Sequence, residues 1–420
     1  MRVLVSAYAC EPHKGSEPGV GWNWVRQIAR FHEVWVITRA NNRESIEAAL
    51  AKETMRNVHW IYFDLPHWTR FWKRGQRGVH LYYYLWQFGA YFVGKELHKE
   101  VGFDLVHHVT FGNYWMPSFL VLLPVPFMWG PLGGGESAPM DFYKTFGHRS
   151  KIYEWSRSMA RWIGEKDPFV RLDARRAKIV LAKARETAGR LRVLCADKVQ
   201  LYSESGIAEE EFRKLYAMPL RSANPFRVVS IGRLLHWKGF HLGLRAFGRF
   251  QQECSDSEYW FIGDGPERRN LQRLAHRLGV SDKVRFWGSL PREQVLEKLA
   301  ECDVLVHPSL HDSGGWVCLE AMAAGRPVIC LDLGGPALQV TKKTGFKVPP
   351  LSPNKVVRDI AHALKNLAGD QDLKERLGRA ARRRVNEVYH WDKKGEKIAE
   401  IYEQIVKQGK PDWYEYSFDS

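Results

Sequence analysis

Asp312 and Glu320 bracket a glycine turn in the stretch His311-Asp312-Ser313-Gly314-Gly315-Trp316-Val317-Cys318-Leu319-Glu320-Ala321-Met322-Ala323. The apolar run before it, Val304-Leu305-Val306-His307-Pro308-Ser309, reads as a buried parallel strand, and the stretch after the turn reads as a helix that stops at Gly325-Arg326-Pro327. In an open α/β sheet, ligands bind where strand ends splay and a helix start offers N–H groups to an anion. Ser313, Gly314 and Gly315 are small enough for a phosphate or sugar to reach the backbone. The plainer alternative is a strand, a turn and a helix capped by Asp312, with Glu320 on the surface.

A second set of charges stands around the loop Gly232-Arg233-Leu234-Leu235-His236-Trp237-Lys238-Gly239. Arg233 and Lys238, two fixed positive charges beside glycine, suit the oxygens of a pyrophosphate. If the strand ends converge, these two side chains, the N–H groups of Gly314 to Trp316, and Glu320 surround one volume.

The elements that must position these groups alternate as strand, loop and helix, which predicts doubly wound parallel sheets. In the first half we expect strands at 2–8 and 33–39, a glycine loop at 11–21 containing Gly15 and Gly19, and helices at 22–31 and 43–53. That loop lacks the strict G-x-G-x-x-G spacing of a dinucleotide fingerprint. A strand at 103–110 carries the adjacent His107 and His108, which must face opposite sides of the sheet. A second glycine turn holds Gly133 and Gly134, residues 140–190 read as helical and basic, and 193–203 as the last strand of this half. A linker is expected at 218–225. The second half restarts with strands at 226–231, 259–262, 284–287 and 327–331 and helices at 241–252, 267–278 and 292–301, nearly every strand ending in glycine. A helix over 356–388 should break near Tyr389-His390-Trp391 and resume over 393–407, crossing back to the first half. The expected domains are therefore 1–217, 218–390 and a terminal helical piece, 391–420.

Composition narrows the partners. A length of 420 residues suits two domains of about 200 residues each. The net charge of +16 favours anionic partners, and 17 tryptophans tilt that choice toward a membrane interface. Aromatic and basic residues interleave from His67 to Lys99, including Trp68, Arg70, Trp72, Lys73, Arg74, Arg77, Tyr82, Tyr83, Tyr84, Trp86, Tyr91 and Phe92. They fit the headgroup layer of a membrane, or a helix packed on the sheet. Residues 109–135 carry no charge, but Pro117, Pro124, Pro126 and Pro131 argue against a spanning helix and for a buried helix followed by a buried strand. The six cysteines form no C-x-x-C pair, which indicates neither zinc nor a disulfide framework and fits a reducing cytoplasm. The first ten residues read as a strand, not a leader. No recognised nucleic-acid module appears, so nucleic acid is not an expected partner.

Several of these segments together resemble one family: Gly232-Arg233 with Lys238-Gly239, Gly263-Asp264-Gly265-Pro266, Phe286-Trp287-Gly288, Leu319-Glu320-Ala321-Met322-Ala323 and Gly325-Arg326-Pro327-Val328. The chain resembles a GT-B glycosyltransferase of family 4 (glycosyl transferases group 1), a retaining and metal-independent group; the first half matches more loosely, through 15–21 and 103–109. The resemblance implies two facing Rossmann-like domains that move a hexose from a nucleotide diphosphate sugar to a polysaccharide, lipopolysaccharide or lipid-linked acceptor. It also implies no cofactor and no metal, in keeping with the lack of a supported D-x-D motif; the basic aromatic surface adds the expectation of a peripheral site of action on the anionic inner face of the cell membrane.

Carried over residue by residue, Arg233 and Lys238 would hold the diphosphate, Glu320 would accept from the ribose hydroxyls, and Asp312 would face the donor sugar. Gly15, Gly19, Gly232, Gly263, Gly265, Trp287, Ser313, Gly314, Gly315 and Trp316 would frame the donor. Asp312 stands where the family has Glu, which shortens the reach by roughly 1.5 Å. The family's histidine after the strand at 126–130 is replaced by Pro131-Leu132-Gly133. His108 is then placed with the catalytic group, and His107, Gly133 and Gly134 on the acceptor side. Retention by front-face attack, with the leaving phosphate taking the acceptor's proton, requires no protein nucleophile. The competing readings are a GT-B nucleotide-sugar epimerase, a non-catalytic sugar-nucleotide sensor and a nucleic-acid binder.

Overall fold

The computed structural model describes residues 1–69, 72, 75, 78–195, 199–220 and 224–408. Contacts divide the chain into two compact units. Met1–Gly135, Trp155–Glu204 and the helix Trp391–Gln408 belong to the first; Glu136–Glu154 and Ser205–His390 belong to the second.

The first unit is built on β1 (Arg2–Ala7), β2 (Glu33–Arg39), β3 (Val58–Phe63), β4 (Leu105–Thr110), β5 (Phe127–Leu132), β6 (Ile179–Ala182) and β7 (Val199–Leu201). They pair in parallel in the order β3-β2-β1-β4-β5-β6-β7. β4, β5 and β6 are buried at every position, as near-continuous apolar runs covered on both faces must be. The helix Ser16–Ala29 packs on β4 and on Trp391–Gln408. Trp24, fully buried, meets Trp391 edge-on at 5.5 Å.

The second unit repeats the plan with β8 (Phe226–Ile231), β9 (Ser257–Ile262), β10 (Val284–Gly288), β11 (Val304–His307), β12 (Val328–Leu331) and β13 (Gly345–Val348). The order is β10-β9-β8-β11-β12-β13, again parallel. The helix Phe240–Phe250 turns Phe240, Leu244, Phe247 and Phe250 into a core shared with Val356, Ile360, Leu364 and Leu367 of the helix Pro353–Gly369. In each sheet the order reverses beside its first strand, β1 or β8, and the crevice at that reversal is where an open sheet receives a ligand.

Some elements differ from expectation. The helix expected at 22–31 starts at Ser16, so Gly19 lies buried inside it and only Gly15 stays outside, as its N-cap. Residues 140–190 contain β6, and 193–195 end the helix Arg185–Cys195 while the strand reduces to Val199–Leu201. Between 109 and 126 the expected helix is one short 3-10 turn, Phe119–Leu122. The expected break near Tyr389–Trp391 is present at His390, but 356–388 is broken a further time at Asp370, whose carboxylate accepts from the Leu373 N–H at 2.8 Å and caps Gln371–Arg384. A π-turn over Val385–Tyr389 then precedes the last helix. The units part after Glu204, ahead of 217, because Ile207 bridges to His390 and Phe212 and Leu215 of the helix Glu209–Tyr216 enter the second unit's core. Ser222 and Ala223 of the expected linker, and 409–420 of the terminal piece, lie outside the described residues.

The aromatic stretch 67–99 divides by face. Tyr82, Tyr83 and Trp86 point into the first core, while Leu81, Leu85, Phe88 and Phe92 line the outer face of the helix Val79–Val101. Arg70, Lys73, Arg74 and Arg77 lie outside the described residues. Among those described, no helix is long and apolar enough to cross a membrane.

Candidate active site

The carboxyl ends of β8 and β11 bring Lys238 and Asp312 together: Nζ donates to Oδ2 at 2.5 Å. His307, the last residue of β11, donates to the same oxygen from Nε2 at 2.9 Å. Oδ1 accepts from the N–H groups of Gly315 at 3.2 Å and Gly314 at 3.3 Å. A carboxylate has about four acceptor positions, so as it stands Asp312 has none left for a sugar hydroxyl. Its first task here is to hold Lys238 and shape the turn. Burial opposes its charge, but Lys238 and His307 outweigh burial and hold its carboxyl well below the usual carboxylate range. Burial pushes His307 down from its ordinary value, Asp312 resists and Lys238 adds to the push. His307 is thus a neutral donor, and its other nitrogen, Nδ1, is buried without a partner.

Arg233 is exposed, and no hydrogen bond or ion pair ties its side chain to another described residue. The two expected diphosphate ligands therefore differ: Lys238 is pre-set by Asp312, whereas Arg233 is free to move to an anion. Gly315 caps the helix Trp316–Ala323 at φ 59°, and a Cβ there would meet Gln339 Oε1 at 2.8 Å and Pro336 Cγ at 2.9 Å. Gly263, at φ 130°, lies so close to the β8 loop that a Cβ would stand 2.1 Å from the Gly232 carbonyl oxygen. Gly232 and Gly265 also have positive φ. Ser313 lies in the same turn as Gly314 and Gly315, and Trp316 opens the helix.

Glu320 belongs to a separate cluster one helical turn on. It is buried, and its Oε1 pairs with Arg292 Nη1 at 2.8 Å. Trp287, at the end of β10, has its indole N–H buried without a partner, with the Lys298 ammonium 4.5 Å above its ring.

Other residues of this edge carry no motif of their own. Glu154 Oε1 accepts from Nε2 of His236 at 3.0 Å and of His311 at 2.9 Å. It thereby ties the loop of Arg233 and Lys238 to the turn of Asp312. The Trp237 ring stacks between Tyr153 at 5.1 Å and His311 at 5.2 Å. Ser205 and Gln339 both donate to the Gly314 carbonyl, at 2.8 and 2.6 Å. His236, Trp237, His307 and His311 sat in stretches that the sequence marks as functional; Tyr153, Glu154, Ser205 and Gln339 are brought in by the fold.

In the first unit, the expected residues are used internally. His107 is fully buried, with Nδ1 on the Tyr402 hydroxyl at 2.5 Å and Nε2 on the Gly130 carbonyl at 2.6 Å. Both nitrogens are spent, so it has no atom for an acceptor. His108 faces the other way, 3.4 Å from the Tyr83 hydroxyl. Burial, with His107 beside it, pushes its pKa down to about 3, far below that of a base poised for neutral pH. The Gly133 N–H donates to the Gly112 carbonyl at 2.6 Å and its carbonyl accepts from Tyr114 at 3.1 Å. The Gly134 carbonyl accepts from Arg157 at 3.2 Å. At Gly15 a Cβ would meet only open space, and Glu17 beside it accepts from the Gly112 N–H at 2.8 Å.

Among the described residues no cluster of three or more His, Cys, Asp or Glu side chains could hold a metal ion.

Residues 215–384, which lie in the second unit, match the family model described as Glycosyl transferases group 1. A D-inositol 3-phosphate glycosyltransferase of Streptomyces avermitilis is 39% identical over 133 residues, 31% of this chain and 28% of the relative. The chain thus spans less than a third of that curated relative. Among solved structures, a sucrose-phosphate synthase from Thermosynechococcus elongatus matches at TM-score 0.67 and 18% identity, covering 97% of this chain and 99% of that one. An Anabaena protein solved in complex with UDP and glucose matches at TM-score 0.57 and 17% identity, covering 95% and 98%. These likenesses show the fold, which is GT-B with two Rossmann-like α/β units.

Proposed function

We propose that the chain is a retaining, metal-independent glycosyltransferase that moves a hexose from a nucleotide diphosphate sugar to a glycan or lipid-linked acceptor. The observation that carries this reading is the Lys238 ammonium fixed by Asp312 at the mouth of the Gly314-Gly315 turn, with the unpaired Arg233 on the same loop. As the glycosidic bond breaks, negative charge grows on the diphosphate, and preorganised cations give their largest rate gain there. Lys238 supplies one charge without reorganisation, and Arg233 closes on the other oxygens. Glu320 receives the ribose hydroxyls. Asp312 acts through Lys238 and the turn, and reaches the sugar only by exchanging one of its four bonds. The first unit takes the acceptor.

The acceptor side is proposed to lie at an anionic membrane surface, the inner face of the cell membrane. Leu81, Leu85, Phe88 and Phe92 recur at helical spacing on the exposed face of Val79–Val101, and Phe88 continues through Phe119 to the part-exposed Phe169 by ring contacts of 5.5 and 4.7 Å. Trp155, Trp162 and Ile163 are also exposed, with Lys166 4.2 Å over the Trp162 ring. Outward aromatics backed by basic residues suit the headgroup layer. Sedimentation with phosphatidylglycerol vesicles should recover wild-type protein and lose Phe88→Ser/Phe92→Ser; equal recovery of both removes the membrane assignment.

A thermal-shift screen of UDP, GDP and ADP should find one that raises the melting temperature. Incubation with its sugar conjugate should consume donor only when acceptor is added, the product keeping the anomeric configuration by NMR. Turnover without acceptor would instead indicate an epimerase, and binding with no turnover a sensor.

A further inference from the structure

Arg292 stands at the first position of the helix Arg292–Ala300, the wrong end of a helix for a cation, where the backbone already carries partial positive charge. What offsets this is a carboxylate at each arm of its guanidinium. Nη1 pairs with Glu320 Oε1 at 2.8 Å, and Nη2 donates to Glu211 Oε1 from the helix Glu209–Tyr216. One planar fork thus joins three helices, and it cannot rotate without losing one partner. Glu320 Oε2 carries no partner among the described residues. The Glu320 side chain is 8% exposed and Arg292 46%, so the fork reaches the buried carboxylate from the open side.

We infer that Arg292, anchored by Glu211, is a positioning residue that sets how strongly the protein distinguishes a ribonucleotide from its 2′-deoxy analogue, by holding Glu320 with one oxygen engaged and the other aimed at the ribose hydroxyls. This rests on the proposed role of Glu320. Hydroxyl recognition by a carboxylate needs it ionised and held in one rotamer. Burial raises the Glu320 pKa and Glu211 adds to the rise, while Arg292 opposes both. Without the guanidinium, the carboxylate turns toward its protonated form and gains freedom to swing. A lysine, with one point of charge, cannot hold Glu320 and Glu211 together.

The test measures binding of UDP, GDP and ADP and their 2′-deoxy forms to the full chain by calorimetry, using whichever base binds tightest. A hydrogen bond to a charged group predicts that wild type favours the ribonucleotide by about ten- to hundred-fold. Glu320→Gln should bring that ratio close to one. Arg292→Ala should lower it by about ten-fold in protein that still unfolds cooperatively, Arg292→Lys should fall between, and Glu211→Gln should lose less than Arg292→Ala. A residue of merely structural importance would weaken both nucleotides equally and leave the ratio alone. If Glu320→Gln collapses the ratio and Arg292→Ala does not, the inference is overturned while the role of Glu320 stands. If Glu320→Gln leaves the ratio at its wild-type value, Glu320 is not the ribose ligand, and both fall.

Discussion

β4 in the first sheet and β11 in the second hold the same place, each next to the strand where the order reverses. Both carry histidine toward the carboxyl end, yet the two have opposite fates. His307 keeps one nitrogen on Asp312, five residues later, and so helps to hold Lys238 at an open edge. His107 gives one nitrogen to Gly130 on the next strand and the other to Tyr402, 295 residues away, so its bonds close the edge from within. The same residue type in the same strand position becomes part of a site or part of a core according to what arrives beside it. For these two histidines, the nearby Asp312 makes a site and the distant Tyr402 makes a joint.

Experiments can break or sharpen that contrast. The largest effect belongs to the open edge: Arg233→Ala/Lys238→Ala should cut kcat by about a thousand-fold or more with the fold intact by circular dichroism. Retained transfer would mean that the charged edge is not the site. At the closed edge, His107→Ala leaves the Tyr402 hydroxyl and the Gly130 carbonyl buried without partners, and should cost on the order of 3 kcal/mol in denaturant unfolding. Nucleotide affinity of the folded fraction should not change; a loss would place His107 in the binding site and end the distinction.

Asp312 adds a pH signature. Its folded pKa is lowered, so its contribution is complete above the ordinary carboxylate value and disappears as the pH falls through the lowered one. Asp312→Asn should therefore be less stable than wild type at neutral pH, with the gap closing as the pH falls below the ordinary carboxylate range. A gap constant across that range would show that Lys238 and His307 do not stabilise the ionised carboxylate. The smallest expected effect is that of Tyr402→Phe, about 1 kcal/mol, since one hydrogen bond is lost and the ring remains.

The contrast also explains what could be read in the chain. Gly232 to Gly239 and His311 to Ala323 announced themselves because each motif and its structural purpose lie within a few residues. The alternation of strand and helix in the second half was legible for the same reason, although β13, Gly-Phe-Lys-Val, is too short to stand out. β6 was hidden because four apolar residues between two helices look like more helix. Glu154, Arg292 and Gln339 were illegible as site residues: a lone charge or amide on a helix reads as surface until the fold sets it against its partner. The aromatic stretch was half legible, since interleaving shows that rings are present but only the helix phase decides which of them meet the core.

The helix Trp391–Gln408 packs on Ser16–Ala29, inside a unit that otherwise ends at Glu204. During synthesis the first unit must therefore wait for the last helix to leave the ribosome, with Trp24 and His107 uncovered meanwhile. At about 5–20 residues per second, the span from 204 to 391 takes on the order of 10–40 s. The described segments of the second unit are all made by His390, ahead of that helix. The order of maturation thus runs against the order of translation.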